Sequence, residues 1–251
     1  MALWTQVTDQ IRADINTGRY PAGTLMPREI DLAQTYRTSK ATIHKALAHL
    51  ETEGLIIQTQ GRGTLVRPQP ARQRITLDTN VYRDELGYYF SAAVQDLRAT
   101  QPPTVTEGPC PPDIAPLLGL APAATVVIRD RVMGDPATGR VLQLATSYLP
   151  ADLAAGAILA EADTGPGGIY DRMENDLGWG RLEWAGAISS RAATPEETRL
   201  LVLAPGVPVL CVTRTTTATA GAAAGRVVEV NATRRDASHF EVGYPIARHP
   251  S

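Results

Sequence analysis

The 251-residue sequence has only two cysteines, Cys110 and Cys211, which lie far apart in the chain. Two isolated cysteines exclude a disulfide framework and a cysteine-based metal knuckle. The four histidines form no metal-ligand motif, so no metal site is expected. No apolar run approaches the ~18 residues that a membrane span requires, and no signal peptide opens the chain. We therefore expect a cytoplasmic protein with no cofactor and no membrane contact.

Signatures of common catalytic sites are also missing. The sequence contains no Gly-Lys-Ser/Thr phosphate loop and no Gly-x-Ser-x-Gly nucleophile elbow. Residues 165–168 are rich in glycine, but they include a proline and no lysine, which is typical of an ordinary loop. We expect no catalytic residues and no enzyme.

Lysine is scarce, since Lys40 and Lys45 are the only two in the sequence. Residues 1–74 carry ten lysines and arginines against six acidic residues, whereas residues 75–251 carry 14 against 20. A basic head on an acidic body indicates that the head contacts a polyanion and the body does something else.

The head contains three predicted helices. Apolar residues at helical spacing predict the first over 4–17, closed by Gly18. A second helix is predicted to begin near Pro27, and a third at the N-cap Thr38 or Ser39. Because so few residues separate the second helix from the third, they are predicted to form a helix-turn-helix.

A β-hairpin is predicted to follow the third helix. Two short apolar runs, 55–58 and 64–67, flank the sequence Gly61-Arg62-Gly63. Glycines at such a tip let backbone amides approach a phosphate, and the arginine adds positive charge. Three helices followed by a basic-tipped hairpin predict a winged helix.

Four stretches of the head resemble the GntR family of bacterial transcriptional regulators. They are residues 18–29, 39–47, 53–56 and 60–64, which hold the family's motifs in order and spacing. The resemblance implies that the third helix enters a DNA groove. The residues it assigns to DNA binding are Ser39, Lys40, Thr42, His44, Lys45, Gln60, Gly61, Arg62, Gly63 and Thr64, and we add Arg28 as explained below.

Three positions depart from the arginines usual in that family, namely Ile30, Lys40 and His44. Arginine reads guanine through a planar bidentate fork, which lysine imitates in part and isoleucine not at all. The family's usual operator sequence is therefore not expected. Arg28 stands where a small residue is usual and is a candidate for a replacement contact.

The sequence predicts a DNA-binding domain at residues 1–67, followed by a Pro- and Arg-rich linker at 68–75. The body is predicted over residues 76–247. It contains an internal duplication, because residues 112–131 and 195–214 agree at eight of twenty positions. Each copy predicts a short helix, a proline turn and a strand, with a second strand after it.

These second strands are predicted over 141–149 and 226–235, and a further strand over 182–190. Helices are also predicted over 153–160 and 169–177. The pattern predicts an α+β domain with an antiparallel sheet and helices over one face.

The body is similar to the effector-sensing (UTRA) domain of the HutC branch of GntR regulators, whose fold resembles that of chorismate lyase. The matching pieces lie at 118–122, 129–131, 168–170 and 228–231. The resemblance implies a pocket for a small polar or anionic effector. The residues assigned to that pocket are Tyr88, Arg129, Arg131, Tyr170, Glu229 and Asn231.

The residues themselves support a polar site. Arg129 and Arg131 are two apart and so project from one face of a strand, as do Glu229 and Asn231. Charged groups inside apolar strands need each other, water or a polar ligand, because burying an unpaired charge is costly.

We expect a ligand-responsive transcription factor, a repressor, that binds a pseudo-palindromic double-stranded operator as a homodimer. Two alternatives stay open. One is a small-molecule enzyme on the lyase-like fold, with the head as a tether. The other is a regulator without an effector, because Ala145 and Gly168 replace an acidic residue and a hydroxyl residue that sugar-phosphate sensors of this branch tend to have.

Overall fold

The structure is a computed structural model. It describes residues 2–59, 61–67, 73–76, 82–83, 89–90 and 97–244. The chain forms two compact units, Met1–Ala71 with Val202–Val207 and Arg72–Leu201 with Pro208–Ser251. Both the α+β class and the order of a helical head before a sheet-containing body are as predicted. None of the helices in the described ranges combines the length and apolarity that crossing a bilayer requires.

The head is a winged helix-turn-helix. Its elements are α1 (Leu3–Asn16), α2 (Glu29–Thr35), α3 (Lys40–Thr52), β1 (Ile56–Thr59) and β2 (Gly63–Val66). Gly18 and Gly54 follow α1 and α3 with φ of 81° and 76°, the left-handed conformation that ends a helix. Pro27 lies outside α2, whose N-cap is Arg28, so the helix begins two residues later than predicted.

An apolar core fixes the orientation of α3. Ile43, Leu47 and Leu50 on its inner face are completely buried, together with Ile11 of α1 and Leu32 of α2. A helix with these residues inside must turn the intervening positions of its first turns outward.

Two further interactions in the head were not predicted from the sequence. Arg12 of α1 donates two hydrogen bonds to Glu53 at the end of α3, at 3.0 and 2.7 Å. These bonds hold the pKa of Glu53 below its usual range. The segment before α2 pairs with β2, since the amide of Met26 donates to the carbonyl of Thr64 over 2.7 Å.

The body is built on a seven-stranded sheet. Its strands are β6 (Arg98–Ala99), β7 (Thr104–Pro109), β8 (Thr125–Gly134), β9 (Val141–Pro150), β10 (Glu183–Arg191), β11 (Val209–Thr217) and β12 (Val227–Asp236). The order is β10-β11-β12-β9-β8-β6, with β7 also paired to β8. All of these pairings are antiparallel, as predicted.

The duplication forms the two halves of this sheet. Hairpin β8–β9 comes from the first copy and hairpin β11–β12 from the second, and the halves join where β9 pairs with β12. β6 and β7, which no sequence pattern predicted, extend the first half.

Short elements complete the body. The helices are α4 (Ala115–Leu118), α5 (Ala151–Ala154), α6 (Gly168–Asp171) and α7 (Pro195–Leu200), with 3-10 turns at Ile158–Ala160 and Gly221–Ala223 and a π turn at Arg172–Asp176. The small strands are β3 (Gln73–Thr76), β4 (Tyr82–Arg83), β5 (Tyr89–Phe90) and β13 (Phe240–Gly243). β13 pairs in parallel with β3, and β4 pairs antiparallel with β5.

The prediction that helices cover one face of the sheet is wrong. Val127 of β8 packs in a cluster with Ile169 and Met173, whereas its neighbour Val126 packs with Ile114 and Leu118 around α4. Successive residues of a strand point to opposite faces, so apolar side chains, and the helices that bury them, lie on both sides.

Candidate DNA-binding surface and effector site

The first half of α3 presents a polar face away from the head's core. Ser39 caps the helix by accepting a hydrogen bond from the amide of Thr42 over 3.2 Å, and the two hydroxyl oxygens are 2.9 Å apart. Lys40 and His44 lie one turn apart, with 70% and 69% of their side chains exposed. Most of both side chains is therefore accessible to solvent on this face of α3.

Glu29 of α2 contacts both of these residues. His44 Nδ1 lies 2.9 Å from one carboxylate oxygen, and Lys40 Nζ lies 3.8 Å from the other. Only a quarter of the Glu29 side chain is exposed. No sequence pattern connects Glu29 to α3, and the tight turn between the helices brings them together. Glu29 therefore restrains the two side chains and offsets part of the positive charge of Lys40.

Lys45 points elsewhere, toward α1. Its ammonium lies 5.0 Å from the centroid of the Trp4 ring, a cation–π contact. The side chain remains exposed. Lys45 therefore places a positive charge beside the face that Lys40 and His44 form.

The hairpin tip is glycine-rich in the way the sequence predicts. Gly61 and Gly63 have φ of 78° and 98°, which disfavours a side chain, and Arg62 between them is exposed. Thr64 is half-buried at the start of β2. Gln60, also predicted to bind DNA, lies outside the described residues.

Arg28 and Ile30 both lie on the surface at the start of α2. Arg28 is exposed, and 58% of Ile30 is exposed. An exposed isoleucine at a position where the family usually has arginine contributes no polar group, so Arg28 is the basic residue that this corner of the head presents.

In the body, four polar residues lie in one row across the sheet. Arg214 on β11 is opposite Asn231 on β12, which is opposite Ser147 on β9, which is opposite Arg129 on β8. Residues two positions along each strand share this face. Arg131 therefore lies on the same face, as the sequence predicts.

Glu229 is the centre of this face. It is completely buried and accepts hydrogen bonds from Ser147 Oγ at 2.6 Å, Thr216 Oγ1 at 2.8 Å and the hydroxyl of Tyr170. Burial raises the pKa of Tyr170 to about 12, so its hydroxyl keeps its proton at neutral pH. Three hydroxyl groups thus donate to one carboxylate.

Two guanidinium groups are joined to Glu229 through those hydroxyls. Arg131 donates to Ser147 Oγ at 2.9 Å, and Arg214 donates to the Tyr170 hydroxyl at 2.8 Å and lies 5.3 Å from the centre of its ring. Asn231 also donates to Ser147 Oγ at 2.9 Å. The Nε atoms of both arginines are buried and have no hydrogen-bond partner among the described residues.

Arg129 makes different contacts. Its guanidinium donates to the carbonyl oxygens of Leu159 at 2.8 Å, Ala162 at 3.3 Å and Glu161. Burial and the nearby charge of Arg131 lower its pKa. Arg129 therefore holds the segment after α5 in place.

The charge of this network is unbalanced. Among the described residues, Arg131 and Arg214 are joined to the Glu229 carboxylate through the hydroxyls of Ser147 and Tyr170, and Arg129 lies on the same face of the sheet. Uncompensated buried charge is unfavourable, and an anion at this site would neutralise it. The arrangement is suited to binding a small anion.

Sequence reasoning missed three members of the network, namely Ser147, Thr216 and Arg214. A signal existed for Arg214, because the duplication aligns it with Arg131. The serine and threonine carry no such signal, since hydroxyl residues are common in strands. Tyr88, also predicted to line the pocket, lies outside the described residues.

Two cavities lie elsewhere in the molecule. One of about 340 Å³ is lined by residues that include Asp135, Arg140 and His239, and one of about 450 Å³ lies in the head beside Tyr36. Neither is lined by the network around Glu229. In the described ranges, no three histidine, cysteine or acidic side chains group in a way that could hold a metal ion.

Comparison with known proteins matches both halves of the chain to family models. "Bacterial regulatory proteins, gntR family" matches residues 3–66, and "UTRA domain" matches residues 100–241. A crystal structure described as that of a GntR-family transcriptional regulator superposes with a TM-score of 0.71 at 25% identity, covering 99% of this chain and 98% of the other.

Curated relatives match over most of their length. An uncharacterised HTH-type transcriptional regulator of Streptomyces coelicolor is 29% identical over 96% of this chain and 93% of its own. Another such regulator, from Rhizobium meliloti, is 30% identical over 84% of this chain and 82% of its own length. The HTH-type transcriptional repressor NagR of Bacillus subtilis is 26% identical over 85% and 84%.

Replacing Glu229 by glutamine is expected to destabilise the body by about 3 kcal/mol, because the change leaves buried guanidinium groups without their carboxylate. Thermal unfolding of the full chain measures the loss. Phosphate, compared with chloride at equal ionic strength, should raise the melting temperature of Glu229→Gln more than that of the wild type. Glu107→Gln, at an exposed position on β7, is the control, and equal melting temperatures for the two variants would contradict the prediction.

Proposed function

Because the chain belongs to the GntR family of bacterial regulatory proteins and carries a UTRA domain, we propose that it is a transcriptional repressor of the HutC branch controlled by a small anionic effector. Regulation of transcription follows from the family itself. Repression is proposed because a relative of similar length, NagR, is named a repressor.

The excess of guanidinium groups over carboxylates around Glu229 supports an anionic effector. Arg131 and Arg214 each keep a buried Nε–H without a partner in the described chain, and such donors are satisfied in most native proteins. A carboxylate or phosphate group is the natural partner, since it accepts paired hydrogen bonds from arginine. The effector we propose is therefore a small metabolite with an anionic group.

The head is proposed to bind DNA through α3 and the hairpin. Lys40 and His44 would contact base edges, while Lys45 and Arg62 would contact phosphates. We further propose that the protein acts in the cytoplasm as a homodimer, since two heads about one helical turn apart read a pseudo-palindromic operator. An effector changes DNA binding only if its affinity differs between two arrangements of the dimer.

Two observations favour a second candidate, a regulator without an effector. The guanidinium of Arg129 is occupied by three carbonyl oxygens, and Glu229 already accepts three hydrogen bonds. In that case the network serves only stability. An enzyme is not proposed, because the relatives that span most of the chain are named as transcriptional regulators.

Lys40→Ala and Arg62→Ala are expected to weaken DNA binding in different ways. Loss of Arg62, a phosphate contact, should lower affinity for all duplexes alike and reduce the slope of log affinity against log salt by about 1. Loss of Lys40 should in addition change which operator variants bind, at a cost of about 1–3 kcal/mol for the preferred base. Fluorescence anisotropy against a panel of single-base operator variants measures both. An unchanged preference in Lys40→Ala would contradict direct readout by this residue.

Glu29→Gln is expected to raise affinity for random DNA and to reduce discrimination. The substitution removes a negative charge beside Lys40 and His44 and frees both side chains to approach any phosphate. The ratio of operator affinity to random-duplex affinity, measured at several salt concentrations, should fall. Asp31→Asn, on the exposed side of the same helix turn, removes the same charge without those contacts and is the control. A similar ratio in the two variants would mean that Glu29 acts only as a surface charge.

Arg131→Gln is expected to abolish the response to anions while operator binding is retained. A panel of phosphorylated, carboxylated and neutral small metabolites is first tested for stabilisation of the wild type and for release of the operator. The active compounds should then lose at least tenfold in potency against Arg131→Gln, but not against Arg226→Gln, which removes a surface pair with Asp152. If no anion stabilises the wild type, the regulator without an effector is the better interpretation.

A further inference from the structure

Arg235 of β12 is a buried cation for which the described part of the chain supplies no carboxylate. Only 5% of the residue is exposed. Its guanidinium donates to the side-chain oxygen of Gln143 on β9 and lies 5.9 Å from the centre of the Phe240 ring, while its Nε has no hydrogen-bond partner among the described residues. Burial lowers the pKa of Arg235 to about 10, so the group stays positively charged at neutral pH. Because an unpaired buried charge is unfavourable, this guanidinium requires an anion.

The preceding residue shows how this domain pairs an arginine that serves stability. Arg234 lies on the other face of the sheet, because successive residues of a strand alternate. Its Nε is 3.4 Å from a carboxylate oxygen of Glu197, which is buried and also accepts two hydrogen bonds from Arg191. Arg235 has no such carboxylate, so its partner is expected to come from outside the chain.

Arg235 shares a face of the sheet with the network around Glu229. Every second residue of β12 points to the same side, so Glu229, Asn231, Thr233 and Arg235 line one face. Asn231 belongs to the row that also contains Arg214. Arg235 is four residues further along the strand, a distance of about 13 Å between Cα atoms.

Uncharged side chains separate these two positions. The row between them contains Val212, Thr233 and Ala145, and beyond Ala145 it ends at Arg131. The Thr233 hydroxyl is satisfied by the carbonyl of Val212 at 3.2 Å. Arg131, the charged member of the row, donates to Ser147 Oγ in the row of Asn231. The sheet therefore presents guanidinium groups at two separate places, with a short uncharged stretch between them.

We propose that Arg235 forms a second anion subsite, so that the effector carries two anionic groups, one bound by Arg131 and Arg214 and the other by Arg235. This inference rests on the proposed anionic effector and specifies its chemical class. A carboxylate or phosphate at each end fits, because either group accepts paired hydrogen bonds from a guanidinium. A molecule that joins both groups binds more tightly than either group alone, since the second contact forms within the complex.

The second subsite adjoins β13. The Arg235 guanidinium contacts the ring of Phe240, the first residue of β13, and Phe240 is the Cα partner of Gln73 on β3. An anion at Arg235 therefore acts one residue away from the pairing of β13 with β3, whereas an anion at Arg131 and Arg214 alone does not reach it. A dianionic effector differs from a monoanion in its effect on this ribbon as well as in affinity.

Dicarboxylates of increasing length test the proposal on the full chain. Malonate, succinate, glutarate, adipate, pimelate and suberate are each compared with their own monoamide at equal ionic strength, by isothermal titration calorimetry. At least one diacid should bind about tenfold or more tightly than its monoamide, with a maximum at one chain length, because only a diacid of the right length reaches both subsites. If no diacid binds more tightly than its monoamide, the second subsite is wrong.

Arg235→Met removes the charge and keeps a long side chain beside Phe240. The variant should bind the preferred diacid only as well as wild type binds the monoamide, a loss of about tenfold or more, with monoamide affinity unchanged within about twofold. Arg131→Gln should weaken both ligands, and Arg226→Gln, which removes a surface pair, should weaken neither. A diacid preference that persists in Arg235→Met would leave this arginine a structural role only. If the variant does not fold, the comparison of ligands on the wild type decides.

The failure of this inference differs from the failure of the proposed function. A wild type that binds monoamides or inorganic phosphate, but gains nothing from a second carboxylate, would overturn the second subsite and leave an anionic effector standing. A wild type that binds no diacid, no monoamide and no phosphate would overturn the anionic effector and this inference together.

Discussion

The buried carboxylate of Glu229 is the interaction on which the body depends. It collects hydroxyl groups from β9, β11 and α6, and through them the guanidinium groups of two strands that are equivalent in the duplication. Because a buried carboxylate needs hydrogen-bond donors to offset its desolvation, Glu229 holds these elements together. A change at any member of the network is thereby felt across both halves of the sheet.

The head follows a different constraint. Apolar packing sets the orientation of α3, and charged side chains determine the polar contacts of its outer face. Complete burial of Ile43, Leu47 and Leu50 leaves one face of α3 for polar contacts. On that face Glu29 contacts Lys40 and His44, and DNA bound there as proposed would have to compete with this carboxylate. In the proposed DNA-binding role, an acidic neighbour that restrains these two side chains would weaken binding to phosphates of any sequence.

Sequence predicted the elements that periodicity and turn chemistry determine. The strands expected at 141–149 and 226–235 are present as Val141–Pro150 and Val227–Asp236, because each follows the first strand of its duplicated copy through a loop. The helix expected at 169–177 is a four-residue α-helix followed by a π turn, since its apolar spacing does not reveal local geometry. The charged residues of the effector site could be proposed from their spacing in the predicted strands. The hydroxyls of Ser147 and Thr216, and the approach of Glu29 to α3, depend on tertiary contacts that no local pattern encodes.

The parallel pairing of β13 with β3 has a mechanical consequence. β13 follows β12, which carries Glu229 and Asn231, and β3 is the first described segment after the head. A slip of one residue in this ladder would turn every side chain of β3 to the opposite face and expose Ile75, which is buried. The register is therefore fixed, and residues 73–76 are tied directly to the segment that follows β12.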